Sequence, residues 1–301
     1  MSKAETENQN FDNLFKNLLS KESNYEFFLK AQSSLKRELQ KNPTSVNYIS
    51  LLLYCINHLK ESEDKQSVNS LLDFSLEQYI NKNKTIPEKV PKRQIIEGFL
   101  KAFSLCSGLF NTNNFRVKFL YYCKKNEIDE KQLKAMKCFD IFAKGCIDAK
   151  EYVDAYNYCI KSENINLLFE LFNNFEKMYK NEDKEENPLY NYKIIFKELN
   201  KEEYEILILR TCLELVLIKK IELAFEFIRH YYSKDNANNS TIINFGYNLV
   251  CLLIRQPKGF DNFWSLINIY KGVVEKRFDI QKYLNQICKN YYNKIFLSED
   301  K

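Results

Sequence analysis

The amino-acid sequence predicts an all-α protein, a right-handed α-solenoid of about fourteen antiparallel helices. Glycine and proline are scarce, with six and five residues in a chain of 301, whereas strands joined by tight turns need many of both. Apolar residues recur every three to four positions along almost the whole chain, which is the spacing of amphipathic helices. Because the interruptions are short, consecutive helices are expected to pack as antiparallel hairpins.

These amphipathic segments and their interruptions can be followed in chain order. Residues 1–10 are polar and are expected to be disordered. Phe11–Leu19 and Leu71–Ile80 each show the apolar spacing of a helix. Polar breaks that contain all five prolines, as helix geometry requires, separate the predicted helices at Asn42–Thr44, Asn81–Lys92, Asn111–Asn114, Asn187–Pro188, Lys234–Thr241 and Gln256–Gly259.

Local signals refine this pattern at three places. Asp129 and Gln132 have the spacing of a capping box, which predicts a helix that begins after Asp129 and runs to about Gly145. Glu205–Lys219 and Tyr247–Arg255 are apolar enough to lie at the centre of a bundle. Small and aromatic residues alternate after residue 151 as in tetratricopeptide hairpins, but without a fixed period of about 34 residues. The hairpins are therefore expected to be degenerate and tetratricopeptide-like.

No segment rich in proline, glycine or serine marks a domain boundary. We place a soft division near residue 150, between an amino-terminal half (11–150) and a carboxyl-terminal half (151–297) of the solenoid. Residues 298–301 are a short tail.

Composition argues against several classes of function. The six glycines are too widely spaced for a phosphate-binding loop, and the two histidines, His58 and His230, lie far apart. We therefore expect no enzyme, no metal site and no cofactor. The 45 basic and 40 acidic residues nearly balance, which argues against nucleic-acid binding through bulk charge. Two basic stretches, Lys82–Arg93 and Arg116–Lys137, are either solvated faces or docking sites for an acidic protein.

The cysteines and the apolar segments indicate the cellular compartment of the protein. The nine cysteines are odd in number, form no Cys-x-x-Cys motif and lie in apolar helical stretches, so we interpret them as reduced core thiols of a cytosolic protein. The start of the chain has no apolar signal segment. Ile206–Ile218 is too short for a membrane span and contains Arg210 and Glu214. The sequence therefore predicts a cytoplasmic protein without direct membrane insertion.

Aromatic residues accumulate toward the carboxyl terminus, around Trp264 and Tyr291. They are either plain core or the lining of a groove that a partner occupies at the end of the solenoid. The residues predicted to line such a groove are Phe227, Tyr231, Phe263, Trp264 and Ile267.

The order of several segments resembles that of the Golgi-to-ER traffic protein 4 family. This family comprises α-solenoid scaffolds of the tail-anchored protein targeting complex. The matching amino-terminal runs are Asn24–Glu26 with Ala31, Gln32 and Leu35, then Phe74–Tyr79, then Leu100–Leu105. Later matches are Glu151–Tyr158, Asn248–Leu253, Phe263–Tyr270 and Tyr283–Phe296. The resemblance covers about residues 11–297 and consists of apolar pattern and segment order.

The resemblance implies a non-enzymatic cytosolic adaptor. Its amino-terminal helices would dock the nucleotide-loaded form of a targeting ATPase, and its carboxyl-terminal half would hold a ubiquitin-like adaptor or an equivalent chaperone subunit. The adaptor would thereby promote the transfer of tail-anchored proteins for insertion into the endoplasmic reticulum. Ser70-Leu71 replaces the family's Asp-Leu pair, so Asp73 is the candidate for the regulatory acid. The residues expected to face the ATPase are Lys16, Lys21, Tyr25, Glu26, Lys36, Arg37 and Asp73.

Two other functions stay open at this point. A generic solenoid subunit of a proteasome-lid-like or coat-like complex would have one extended interface that is insensitive to the nucleotide state of an ATPase. An RNA-binding helical repeat would show affinity that falls steeply with salt.

Overall fold

The computed structural model describes residues 23–41, 46–61, 64–83, 92–106, 112–180, 199–234, 240–255 and 259–295. Within these residues every regular element is a helix, and fifteen helices are present, which confirms the all-α class. The polar segment 1–10, the helix predicted at Phe11–Leu19, all five prolines and the tail 298–301 lie outside the described residues. None of the described helices is long and apolar enough to cross a membrane.

The helices pack into two compact units, which divide between Ser162 and Glu163. The division expected near residue 150 and this boundary lie at opposite ends of one helix, Tyr152–Ser162. The helices of unit 1 are α1 (Asn24–Lys41), α2 (Val46–Glu61), α3 (Lys65–Asn83), α4 (Lys92–Leu105), α5 (Asn113–Lys125), α6 (Glu130–Ala135), α7 (Cys138–Asp148) and α8 (Tyr152–Ser162). Those of unit 2 are α9 (Ile165–Tyr179), α10 (Lys201–Leu217), α11 (Ile221–Lys234), α12 (Thr241–Arg255), α13 (Phe260–Ile269), α14 (Lys271–Val274) and α15 (Phe278–Tyr292).

In unit 1 the first three helices each pack against the next helix and the one after it. Helix α3 lies beside α1 and α5, whereas α4 lies beside α2 and α7. Alternate helices therefore form two layers, α1–α3–α5 and α2–α4–α7. Two hydrogen bonds fix the register of α3 and α5, since Asn114 Nδ2 donates to Asp73 Oδ2 over 2.9 Å and Lys118 Nζ donates to Glu77 Oε2 over 3.0 Å. Both bonds span 41 positions, so the two helices run parallel.

The capping box predicted at Asp129 is present. The Asp129 carboxylate accepts a hydrogen bond from the Gln132 N–H, and the Gln132 side chain accepts one from the Asp129 N–H. The predicted extent of this helix is wrong. Helix α6 ends at Ala135, Lys137 adopts a left-handed conformation with φ of 55°, and α7 begins at Cys138.

Helix α10 is the centre of unit 2. It packs against α9, α11, α12 and α15, and nine of its residues are buried, Tyr204, Ile206, Ile208, Leu209, Thr211, Cys212, Leu213, Leu215 and Val216. The apolar composition of Glu205–Lys219 predicts such a position. Because α15 returns to α10, unit 2 is a bundle around one helix, whereas unit 1 is a row of neighbours.

Candidate functional site

The predicted ATPase-facing residues on α1 lie on its exposed surface. Tyr25 is 65% exposed, and Glu26, Lys36 and Arg37 are exposed. Glu26 also closes a capping box, since its carboxylate accepts a hydrogen bond from the Ser23 N–H over 3.2 Å. This local role stabilises the start of α1 whether or not a partner binds.

Asp73 lies on α3, the helix beside α1. Burial of this half-buried side chain raises the pKa of its carboxyl, and Asn114 and Lys118 oppose that shift. The structure thus brings Asp73 onto the same layer as the α1 residues and ties it to α5. Lys16 and Lys21 lie outside the described residues.

Most of the residues predicted for the carboxyl-terminal groove are core residues of unit 2. Phe227, Tyr231, Phe263 and Ile267 are each at most 5% exposed. The Phe227 ring lies 5.0 Å from that of Phe172, centroid to centroid, in a T-shaped contact. Of the five, only Trp264 is available to a partner, with 42% of its surface exposed.

Other aromatic residues surround Trp264. The Phe260 ring stacks on it with centroids 6.5 Å apart, and Tyr292 meets Phe260 edge-on at 5.7 Å. The Lys294 ammonium lies 3.8 Å from the centroid of the Phe260 ring, which is a cation–π contact. This aromatic cluster joins α13 to the end of α15 and leaves Trp264 at its surface.

A cavity of about 390 Å³ opens in unit 2 between α9, α10, α11 and α12. Its charged lining is internally paired, since Lys180 lies 2.7 Å from Glu176 and Lys201 lies 3.6 Å from Glu205. Lys234 lies 3.9 Å from Glu176. The cavity therefore presents a polar rim on which three lysines share two glutamates, so its formal charge is one unit positive. No local pattern in the sequence predicts this cavity, because its walls come from four different helices.

Arg116 is the most deeply buried charge of unit 1. Its side chain is 0% exposed and contacts the Glu151 carboxylate at 2.7 Å and the Asp154 carboxylate at 2.5 Å. It also donates a hydrogen bond to the Thr112 hydroxyl. Arg116 therefore does not belong to the basic surface predicted for Arg116–Lys137; it ties α5 to α8 within the core.

The thiols lie where burial suppresses their reactivity. Eight of the nine cysteines are buried and all are free. Burial raises the pKa of Cys55, Cys106 and Cys123 to about 12 in each case, so these side chains are neutral thiols near pH 7. Among the described residues, no cluster of three or more histidine, cysteine or acidic side chains could hold a metal ion.

Comparison with known proteins leaves the family open. No family model matches the chain, and a search of curated proteins finds no significant match.

Proposed function

We propose that this chain is a non-enzymatic adaptor, with unit 1 as its α-solenoid part, that holds two protein partners within reach of each other. The observation that carries the proposal is the packing of unit 1, where alternate helices lie side by side in two layers. Such layers are typical of helical-hairpin repeats, which present broad faces for other proteins. The parallel course of α3 and α5, with α4 between them in the chain, is what a repeat of two antiparallel helices would produce.

The exposed apolar side chains of unit 1 indicate which helices could contact a protein partner. The large apolar residues that are clearly exposed there are Tyr25, Leu29, Val117, Tyr121 and Val153. They lie on α1, α5 and α8, and none of those in the described residues lies on α2, α4 or α7. Four of the five lie on α1 and α5, which belong to one layer, and exposed apolar surface of this kind is typical of protein interfaces.

The resemblance to the Golgi-to-ER traffic protein 4 family suggests who the partners are. We propose that the α1 surface, with Tyr25, Lys36 and Arg37, docks a tail-anchored protein targeting ATPase in its nucleotide-loaded form. Unit 2 would bind a ubiquitin-like adaptor or an equivalent chaperone subunit through the surface at Trp264. Two weak encounters on one adaptor raise the effective concentration of each partner for the other, which would promote transfer of tail-anchored proteins.

The test of the amino-terminal site is a binding titration with the targeting ATPase. Lys36→Glu with Arg37→Glu is expected to weaken binding of the nucleotide-loaded ATPase about tenfold at about 0.15 M salt, where surface charges act over about 8 Å. The matched control is Lys282→Glu with Lys289→Glu on α15, which reverses two exposed charges of unit 2. Equal affinity of the wild type and the α1 variant, or indifference to nucleotide, would reject this site.

The test of the carboxyl-terminal site uses the ubiquitin-like partner. Trp264→Ala is expected to weaken its binding about tenfold, because exposed tryptophans are frequent interface hot spots. Trp264→Phe should restore much of the affinity, since it keeps an aromatic ring beside Phe260. If the alanine variant folds and binds as the wild type does, this assignment is wrong.

A further inference from the structure

The outer face of α5 combines exposed apolar and basic side chains. Val117 is 57% exposed and Tyr121 is 64% exposed, and the two lie four residues apart, as neighbours on one face. Lys124 and Lys125 follow three and four residues after Tyr121 and are exposed. Lys118 precedes Tyr121 by three residues and is therefore its neighbour on the helix surface. We call Val117, Lys118, Tyr121, Lys124 and Lys125 the α5 stripe.

The charge of the α5 stripe is only partly compensated. Helix α5 contains no acidic residue. The acidic groups beside it on α3 are already engaged, since Lys118 Nζ lies 3.0 Å from Glu77 and Asn114 donates to Asp73. Within the described residues, no salt bridge is found for Lys124 or Lys125. Two positive charges therefore lie one turn beyond an exposed aromatic ring.

We infer that the α5 stripe is a docking site for an acidic amphipathic segment of a protein. The apolar side of such a segment would cover Val117 and Tyr121, and its carboxylates would meet Lys124 and Lys125. Removing the exposed tyrosine and valine from water stabilises the complex, while the lysines select acidic over basic segments. This site is separate from the α1 surface and does not depend on the identity of the partners proposed above.

The neighbouring acidic residues favour a protein over RNA. A single-stranded RNA could stack a base on Tyr121 and pair its phosphates with lysines. However, Asp73 and Glu77 border the stripe, and their carboxylates would repel a continuous phosphate backbone. A peptide can place its few carboxylates only at the lysine end.

The experiment is a selection from a displayed library of peptides, about sixteen residues each, on the full-length chain. When helical, a peptide of this length is longer than the stripe, which covers about two and a half turns of α5. Binders are counter-selected on Val117→Ser with Tyr121→Ser, in which exposed side chains alone are changed. We expect the surviving peptides to be amphipathic and net acidic.

The affinity of the selected peptides is then measured by fluorescence anisotropy. Lys124→Glu with Lys125→Glu is expected to weaken binding about tenfold. The control variant, Lys282→Glu with Lys289→Glu, is expected to change the affinity less than twofold. Circular dichroism verifies that each variant is folded. The proposal is overturned if no peptide distinguishes the wild type from the serine variant, if the surviving peptides are neutral or basic, or if a labelled single-stranded RNA competes for the stripe.

Discussion

Arg116 shows how a single side chain can be misplaced by sequence alone. In the sequence it is the first residue of the stretch Arg116–Lys137, which contains seven basic residues. Basic residues usually lie at the surface. In the structure it is fully buried because Glu151 and Asp154, more than thirty positions later, supply the opposite charges. Their partnership depends on the packing of α5 against α8, which no local pattern encodes.

Replacing Arg116 is expected to destabilise the chain strongly. Arg116→Met leaves the Glu151 side chain, which is 7% exposed, without its counterion, and breaking a buried ion pair costs about 3 to 5 kcal/mol. The control is Arg210→Met, whose partner Asp279 and own side chain are 37% and 36% exposed. Because water screens that pair, its loss should cost about 1 kcal/mol or less. Urea unfolding of both variants tests the difference; equal losses would contradict it.

His230 gives the stability of the chain a predictable pH dependence. Burial and the nearby Lys234 lower its pKa below the ordinary 6.5, and Glu176 opposes the shift. As pH falls through about 6.5, the unfolded chain therefore binds a proton that the folded chain refuses, and the free energy of unfolding decreases.

His230→Phe should remove this contribution while keeping the ring that packs 4.3 Å from Phe169, centroid to centroid. Between about pH 7.5 and pH 5.5 the wild type is expected to lose more stability than the variant, by a small margin because the imidazole is partly exposed and screened. Urea titrations of both proteins at the two pH values provide the measurement. An identical pH dependence would show that His230 does not contribute.

The same limit applies to the aromatic residues of unit 2. The abundance of aromatic residues predicts that Phe227, Tyr231, Phe263 and Ile267 line a groove, yet these residues fill the core. Helical spacing shows that a residue lies on an apolar face, but not whether another helix of the same chain covers that face. Trp264 follows Phe263 on the same helix. This single position turns its side chain by about 100° around the helix axis, and Trp264 is exposed whereas Phe263 is buried.

At the scale of elements, prediction succeeded where apolar spacing and caps are strong. The capping box at Asp129 is formed, and α3 contains the segment Leu71–Ile80. The break between α6 and α7 was missed because neither glycine nor proline marks it. Lys137 adopts the left-handed conformation there, which is uncommon for a residue with a Cβ atom.

Close helix packing makes Gly98 on α4 intolerant of a larger side chain. A Cβ atom at this position would overlap the side chain of Ile49 on α2, which is buried and has few rotamers to move into. Gly98→Ala gains about 1 kcal/mol of helix propensity, but overpacking costs about 1 to 3 kcal/mol. We therefore expect a net loss of about 1 kcal/mol, seen as a lower Tm.

Gly272 on α14 is the matched control for Gly98. A Cβ atom there meets no other atom within 4 Å, so Gly272→Ala gains helix propensity without overlap. It should leave the Tm unchanged or raise it, by up to about 1 kcal/mol in stability. If the two substitutions shift the Tm alike, the contact between α4 and α2 does not limit the size of residue 98.

For the whole molecule, the sequence predicted the all-α class but offered no clear boundary between units. Composition and apolar period are summed over many residues, so they are robust to local errors. A boundary is decided by contacts between helices, and no change of composition accompanies it here. Helix α8 lies between the two candidate boundaries, and its contacts place it in unit 1, since Tyr158 meets the Phe142 ring edge-on at 5.4 Å.

Two fragments that differ only in α8 should therefore differ in stability. Residues 1–162 retain the pair of Arg116 with Asp154 and the packing of Tyr158 on α7, whereas residues 1–150 lose both and leave Arg116 buried without either carboxylate. We expect 1–162 to unfold cooperatively, as a compact unit with its own core should, and 1–150 to be at least about 3 kcal/mol less stable or unfolded. Circular dichroism during urea titration compares them directly. Equal stability of the two fragments would mean that α8 is not part of the amino-terminal unit and that the boundary lies near residue 150.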